Sequence, residues 1–262
     1  MKIMILRLIC LTIIGLPFEL RSSILEVRFQ NLYNLSPLKD IERVKLIRKQ
    51  DNSGISIFAF SELMSKHDEH LLLQSLGGDL LIRSKKSFQS LGVIIKGVKF
   101  LEQIKVWELD EGYKRPILML EILLKTKKKI HVFVNHWPSQ RWKSKKRILY
   151  LKKIKKILPL LTTSKVIIIG DFNTNKHESL QLEKALSQFQ LSNPLLNEPT
   201  YYFSPFGKLY HFDQIWLRGF KVVERFVNKK YSRKMLINNK EVKVPDKKYF
   251  DHFELYLKLS ID

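Results

Sequence analysis

The chain alternates short apolar runs with stretches in which apolar residues recur every three or four positions, and the two rhythms divide it into strands and helices. Runs rich in β-branched or aromatic residues and bounded by polar or turn residues predict strands at Leu25–Leu32, Gly54–Phe60, Leu91–Ile95, Ile117–Leu124, Ile130–Asn135, Lys165–Gly170, His211–Leu217 and Phe253–Leu259. Between them, Ser36–Gln50 sets Leu38, Ile41, Val44, Leu46 and Ile47 on one face with arginines and lysines opposite, which predicts a helix. Arg141–Leu161 repeats the pattern with a denser basic face, and Glu178–Phe189 is a shorter helical candidate. No internal repeat or low-complexity linker interrupts the series. Many strands with few helices imply one domain over residues 24–262 of the α/β or α+β class, with mixed sheets packed face to face and helices outside.

Composition agrees with a single large core. Hydrophobic residues make up 45% of the 262, with four Trp, nine Tyr and sixteen Phe, which excludes a disordered chain. The 47 Lys+Arg against 25 Asp+Glu give a formal charge of +22, a bias that favours polyanionic partners such as nucleic acid or anionic membranes. Most of that excess is Lys, so a general drift toward Lys, Ile, Leu and Asn is the competing account.

The first residues read as a basic segment ending at Arg7, an apolar run from Leu8 to Leu16, and a small pair at Ser22-Ser23. This resembles a secretory signal peptide over residues 1–23 and implies a secreted or periplasmic protein with no stable membrane span after processing. The apolar run is too short to cross a bilayer comfortably. Cys10, the only cysteine, lies inside it, so the mature chain would have no disulfide.

Several predicted strands end abruptly in polar residues. Val166–Ile169 runs into Gly170-Asp171-Phe172-Asn173, where the glycine lets the backbone turn beneath an acid and an amide. Val132–Val134 runs into Asn135-His136-Trp137-Pro138-Ser139, Phe58–Phe60 into Ser61-Glu62, Asp213 interrupts an apolar run, and Asp251-His252 stands before the last strand. Each alone would suit a strand-closing turn or a satisfied structural histidine. Burying all of them unpaired would cost several kcal/mol each, roughly, so they are more economically explained by convergence on one site.

The order and spacing of these motifs resemble the endonuclease/exonuclease/phosphatase superfamily, the deoxyribonuclease I-like fold. The matches run from Asn31-Leu32-Tyr33-Asn34-Leu35 through Glu62, Arg115-Pro116, Asn135–Ser139, Gly170–Asn173 and Asp213-Gln214-Ile215 to Asp251-His252. The resemblance implies a four-layered sandwich of two mixed β-sheets flanked by helices, with the site at one edge. It implies that Glu62, assisted by Asn31 and Asp251, holds a divalent cation, normally Mg²⁺, with Mn²⁺ or Ca²⁺ as alternatives; oxygen ligands suit such hard ions. It further implies that His252 pairs with Asp213, that Asp171 and Asn173 orient the attacking water and bind phosphate, and that His136 protonates the leaving oxygen. Arg115, and with it Arg141, would clamp phosphate oxygens in a bidentate fork. Two positions depart from the family pattern. Tyr33 stands where an acidic residue is common, which puts a second cation in doubt, and Ser90-Leu91-Gly92 replaces an Arg-Gly pair, so that Lys85 or Lys86 would have to supply the phosphate contact.

The superfamily cuts several phosphoesters, so the fold leaves the substrate open. The net charge and the basic, aromatic cluster Arg141-Trp142-Lys143-Ser144-Lys145-Lys146-Arg147 favour a nuclease acting on DNA or RNA, expected as a monomer, with the exposed face of a helix as the competing account of the cluster. Asn197–Tyr202, like His136–Ser139, also resembles secreted bacterial members. A phosphodiesterase or phosphatase acting on lipid or inositol phosphates is the second reading and calls for an exposed apolar hairpin, with Tyr201–Phe206 as candidate. A non-catalytic nucleic-acid binder is the third, and the intact Glu62, Asp171, Asn173, Asp213 and His252 speak against it.

Overall fold

The protein is described as a computed structural model covering residues 24–36, 39–47, 54–64, 69–85, 90–109, 115–139, 144–161, 163–203, 208–230, 232–237, 240–245 and 250–261. The expected leader at residues 1–23, Arg141 and Lys86 lie outside the described residues. The first half of the chain forms β1 (Ile24–Leu35), α1 (Ile41–Leu46), β2 (Ile55–Leu63), α2 (Glu69–Leu76), β3 (Leu80–Arg83), β4 (Ser90–Lys96), β5 (Leu101–Leu109) and β6 (Ile117–Leu124). The second half forms β7 (Lys129–His136), α3 (Ser144–Ile157), β8 (Lys165–Asp171), α4 (Lys176–Ser187), β9 (Tyr201–Phe203), β10 (Lys208–Tyr210) and β11 (Asp213–Arg218). The chain then closes with β12 (Lys221–Asn228), β13 (Ser232–Ile237), β14 (Lys240–Pro245) and β15 (Glu254–Ser260).

Two mixed sheets form the body: six strands ordered β12-β15-β1-β2-β4-β3 and five ordered β11-β8-β7-β6-β5, with hairpins β9-β10 and β13-β14 outside them. Strand alternation sorts the apolar side chains into three layers. Val27, Phe29, Ile57 and Ala59 of the first sheet meet Val132, Val134, Ile167 and Ile169 of the second in the central core. The alternate residues of the same strands point outward. Phe58 and Phe60 pack under Val44 of α1 and Leu72 and Leu76 of α2. Phe133, Val166 and Ile168 pack under Tyr150 and Ile154 of α3 and Leu182 and Leu186 of α4. Strands buried on both faces must be apolar at every position, which is why β2, β7 and β8 read as continuous runs rather than alternations. Each such side chain, fully buried, is worth about 1.5–3 kcal/mol.

The four-layered sandwich expected from the motifs is therefore the observed one. The predicted strands are present with ends moved by at most three residues. The helix expected over Ser36–Gln50 is described only from Ile41 to Leu46, because Ser36 O accepts from both Lys39 N and Asp40 N and closes a turn first. Pro159 converts the end of the third-layer helix to a 3₁₀ turn at Leu158–Leu160. Among the described residues no helix is long and apolar enough to cross a membrane.

Candidate active site

Register assembles the site before any side chain is considered. Asp213 of β11 pairs with Asp171 of β8, which pairs with His136 of β7, so residues far apart in sequence line up across three adjacent strands. Neighbouring strands lie about 4.8 Å apart, within reach of a shared ligand. On the other sheet Asn31 of β1 pairs with Ser61 of β2, and the register of both strands breaks just beyond, at Asn31/Leu35 and at Phe60/Leu63. Tyr33, Asn34, Glu62 and Asn173 all carry positive φ, at 50, 55, 64 and 50°. Such conformations cost about 1–3 kcal/mol each and persist where surrounding contacts hold them. Here they turn the ends of β1, β2 and β8 toward one another.

The two sheets are joined at this edge by Asn31 Nδ2, which donates to Asp171 Oδ2 at 3.1 Å, while Asn173 N donates to Asp171 Oδ1 at 3.0 Å. Trp137 organises the next layer. Its N–H donates to Asp171 O at 2.8 Å, and its carbonyl accepts from Asn173 Nδ2 at 3.0 Å and from Arg115 Nη1 at 2.8 Å. Its indole packs edge-on against Phe172.

His252 and Asp213 form a dyad, with Nδ1 and Oδ2 2.7 Å apart. Thr200 holds both halves of it: Thr200 Oγ1 accepts from Asp213 N at 3.0 Å, and Thr200 O accepts from Phe253 N at 2.8 Å. Tyr201 tilts over the His252 ring at 4.6 Å between centroids and stacks on Phe212. Burial alone would push the imidazole pKa down, but Asp213, Asp251 and Asp171 outweigh it and raise it to about 10, so His252 is cationic at neutral pH. Asp171 shifts the other way for a carboxylate, up to about 7, chiefly by burial and also by Asp213 and Glu62.

His136 is paired with Arg115. Its Nε2 accepts from Arg115 Nη1 at 2.9 Å, and burial, Arg115 and His252 hold its pKa well below the usual value. In this arrangement Nε2, the ring nitrogen nearest Glu62, is the one that faces Arg115. Arg115 reaches this edge of the sheet, where it contacts His136 and donates to Trp137 O.

Glu62 lies beside His136, Oε1 to Nε2 at 3.4 Å, and its carboxyl is raised by burial, countered by His252 and Asn31 and raised again by Asp251. The acids Glu62, Asp171, Asp213 and Asp251 face the cations His252 and Arg115, while Arg43 is paired with Asp40, so full ionisation leaves two negative charges in excess (4 − 2 = 2). That surplus and an oxygen-rich donor set fit a hard divalent cation. Asp171, Asp213 and His252 also form a compact trio with ligand atoms within 4.8 Å of one another. Glu62, Asn31 and Asp251, whose donors are all oxygens, suit a hard ion, and the Asp213–His252 hydrogen bond suits proton handling.

Sequence reasoning missed three contributors. Thr200 is an ordinary threonine before a short strand, Trp137 acts through its backbone, and Arg43 on α1 donates to the carbonyls of Leu32 and Tyr33 beneath Asp251. Two readings are corrected. Arg147, placed among nucleic-acid contacts, is buried and grips Glu178 with Nη2 at 2.7 and 2.9 Å while donating to Pro138 O. Tyr201, the start of the hairpin candidate that the second reading would call for, is turned onto His252; residues 204–207 lie outside the described set.

The architecture is shared with solved structures of distant sequence. A humanized D. rerio TDP2 carrying 14 mutations aligns at TM-score 0.65 and 14% identity over 91% of this chain and 99% of that one. An endonuclease/exonuclease/phosphatase family protein from Bacteroides thetaiotaomicron aligns at 0.63 and 18% over 91% and 98%. The human Nocturnin catalytic domain, with a bound sulfate, aligns at 0.64 and 18% over 93% and 95%. No protein-family model and no curated protein sequence matches the chain. The fold is thus the one these solved structures share, a deoxyribonuclease I-like sandwich.

Proposed function

We propose that this protein is a divalent-metal-dependent phosphodiesterase acting on nucleic acid. The observation that carries the reading is the Asn31–Asp171 hydrogen bond, which joins the two sheets where Glu62, Asn173 and the Asp213–His252 dyad converge. In-line attack on a phosphodiester builds charge on the phosphoryl oxygens and the leaving alkoxide. Glu62, Asn31 and Asp251 would hold the cation, Mg²⁺ in this reading, which neutralises that charge as a Lewis acid. Asp171, steadied by two donors, orients the water and accepts its proton; Asn173 fixes the phosphate. His252, kept protonated by Asp213, donates through Nε2 to a phosphoryl oxygen. With His136 neutral, its part is to hold Arg115 in place, and an acid role would require Arg115 to release Nε2.

The net charge of +22 supports a polyanionic substrate. Secretion through a leader at residues 1–23, and a monomeric state, belong to the same proposal. The test offers the purified protein supercoiled plasmid, RNA and sphingomyelin with Mg²⁺ or EDTA, beside Glu62→Ala and His252→Ala. Cleavage of either nucleic acid, abolished by EDTA and by both substitutions, is expected. Turnover of the lipid alone would overturn the substrate, and undiminished activity in the variants would overturn the site.

A further inference from the structure

The helical layer on the outer face of the five-stranded sheet carries a chemistry the active site does not use. No Asp or Glu occurs between Glu121 and Asp171, while α3 alone contains Lys145, Lys146, Lys152, Lys153, Lys155 and Lys156. The inward side of α3 is Arg147, Tyr150 and Ile154. Lys145, Leu149, Lys152 and Lys156 follow at spacings of four, three and four, so they share the opposite, exposed side. Apolar side chains are exposed among them: Ile148 at 45%, Leu149 at 37%, and Leu160, just past the helix, at 75%. The Arg147–Glu178 fork ties α3 to α4, whose Leu180 is 56% exposed. This layer therefore holds four of the seven large apolar residues exposed among the described ones.

A nucleic-acid backbone would satisfy the lysines but leave Ile148, Leu149, Leu160 and Leu180 in water. A lipid headgroup layer satisfies both, because ammonium groups reach phosphates while their stems and the leucines enter the acyl boundary. We propose that the outer face of the α3–α4 layer docks on an anionic lipid surface. The surface is independent of the catalytic residues and of the phosphodiesterase reading.

The test is co-sedimentation of the full-length protein with phosphatidylcholine vesicles, with and without phosphatidylglycerol, in EDTA so that turnover plays no part. Binding is expected only to the anionic vesicles and should weaken with salt. Each lysine near such a surface contributes about fivefold (~1 kcal/mol), so Lys145→Ala, Lys152→Ala and Lys156→Ala together should lower partitioning by roughly 100-fold. Leu149→Ser with Leu160→Ser should lower it about tenfold while plasmid binding stays constant. Melting curves matched to the parent protein establish that the variants are folded. Equal binding to neutral and anionic vesicles, or unchanged partitioning of the lysine variant, overturns the proposal. Unchanged partitioning of the leucine variant also overturns it, leaving a purely electrostatic face.

Discussion

Gly170 is the hinge on which the register of the site depends, and Gly170→Ala tests that role. Its φ is +150°, and a Cβ built there would stand 2.1 Å from Asn135 O and 2.8 Å from Asn135 C and N. Ordinary contact begins near 3.4 Å, so β7 and β8 must part by about 1.3 Å (3.4 − 2.1) at the pair Asn135↔Gly170, next to His136↔Asp171. The obstacle is backbone in the middle of a sheet and cannot rotate aside. Overpacking of this kind costs about 1–3 kcal/mol and the strained dihedral about as much again, giving ~4 kcal/mol together. For a domain of this size that lowers Tm by roughly 8–16 °C. A displacement near 1 Å at Asp171 should also reduce kcat about 100-fold below the melting point. Differential scanning fluorimetry and plasmid nicking under Mg²⁺ measure both. A Tm within about 2 °C of the parent with full activity would refute the argument that this contact sets the register.

Arg147→Ala should lower stability by about 3 kcal/mol in urea unfolding, because it leaves Glu178 half-buried without its partner, whereas Glu178→Ala with Arg147→Met should recover most of the loss. A fall in nucleic-acid affinity without loss of stability would instead make Arg147 a substrate contact. Asp213→Asn should reduce kcat by about 100-fold or more with little change in KM, as His252 loses the partner that fixes its charge and tautomer; a KM effect alone would contradict the dyad. Thr200→Val removes the acceptor for Asp213 N and should cost about 1–3 kcal/mol in unfolding measurements. His131 is held below its usual pKa by burial, against the pull of Glu121. Its contribution to stability is therefore present above the unfolded value near 6.5 and lost as pH falls below it, and His131→Gln should flatten that part of the stability–pH curve.

Most strands of the two sheets were legible because burial on both faces demands unbroken apolar runs, and such runs are visible one at a time. Polar residues that end them marked Glu62, Asn135, His136, Asp171 and Asn173 for the same reason: a sequence rarely spends an acid or imidazole next to a buried strand without a use. β5 was not legible, since Glu102, Gln103 and Lys105 break its pattern at the sheet edge. β12 was hidden likewise, by the exposed Lys221, Val223, Glu224 and Arg225. Arg147 was misread because a basic run on a helix has no direction until the helix is docked, and docking turned this one arginine inward toward Glu178.

The sequence by itself determined the layered class, the ends of most strands and the identity of the acids, amides and histidines that converge, since each follows from local burial and local chemistry. Tertiary structure alone decided their partners. Register set Asp213, Asp171 and His136 side by side, and Asn31 closed the gap between the sheets. Arg115, arriving from before β6, met the Nε2 of His136. Protonation and partnership depend on distances between residues separated by scores of positions, and only packing sets those distances.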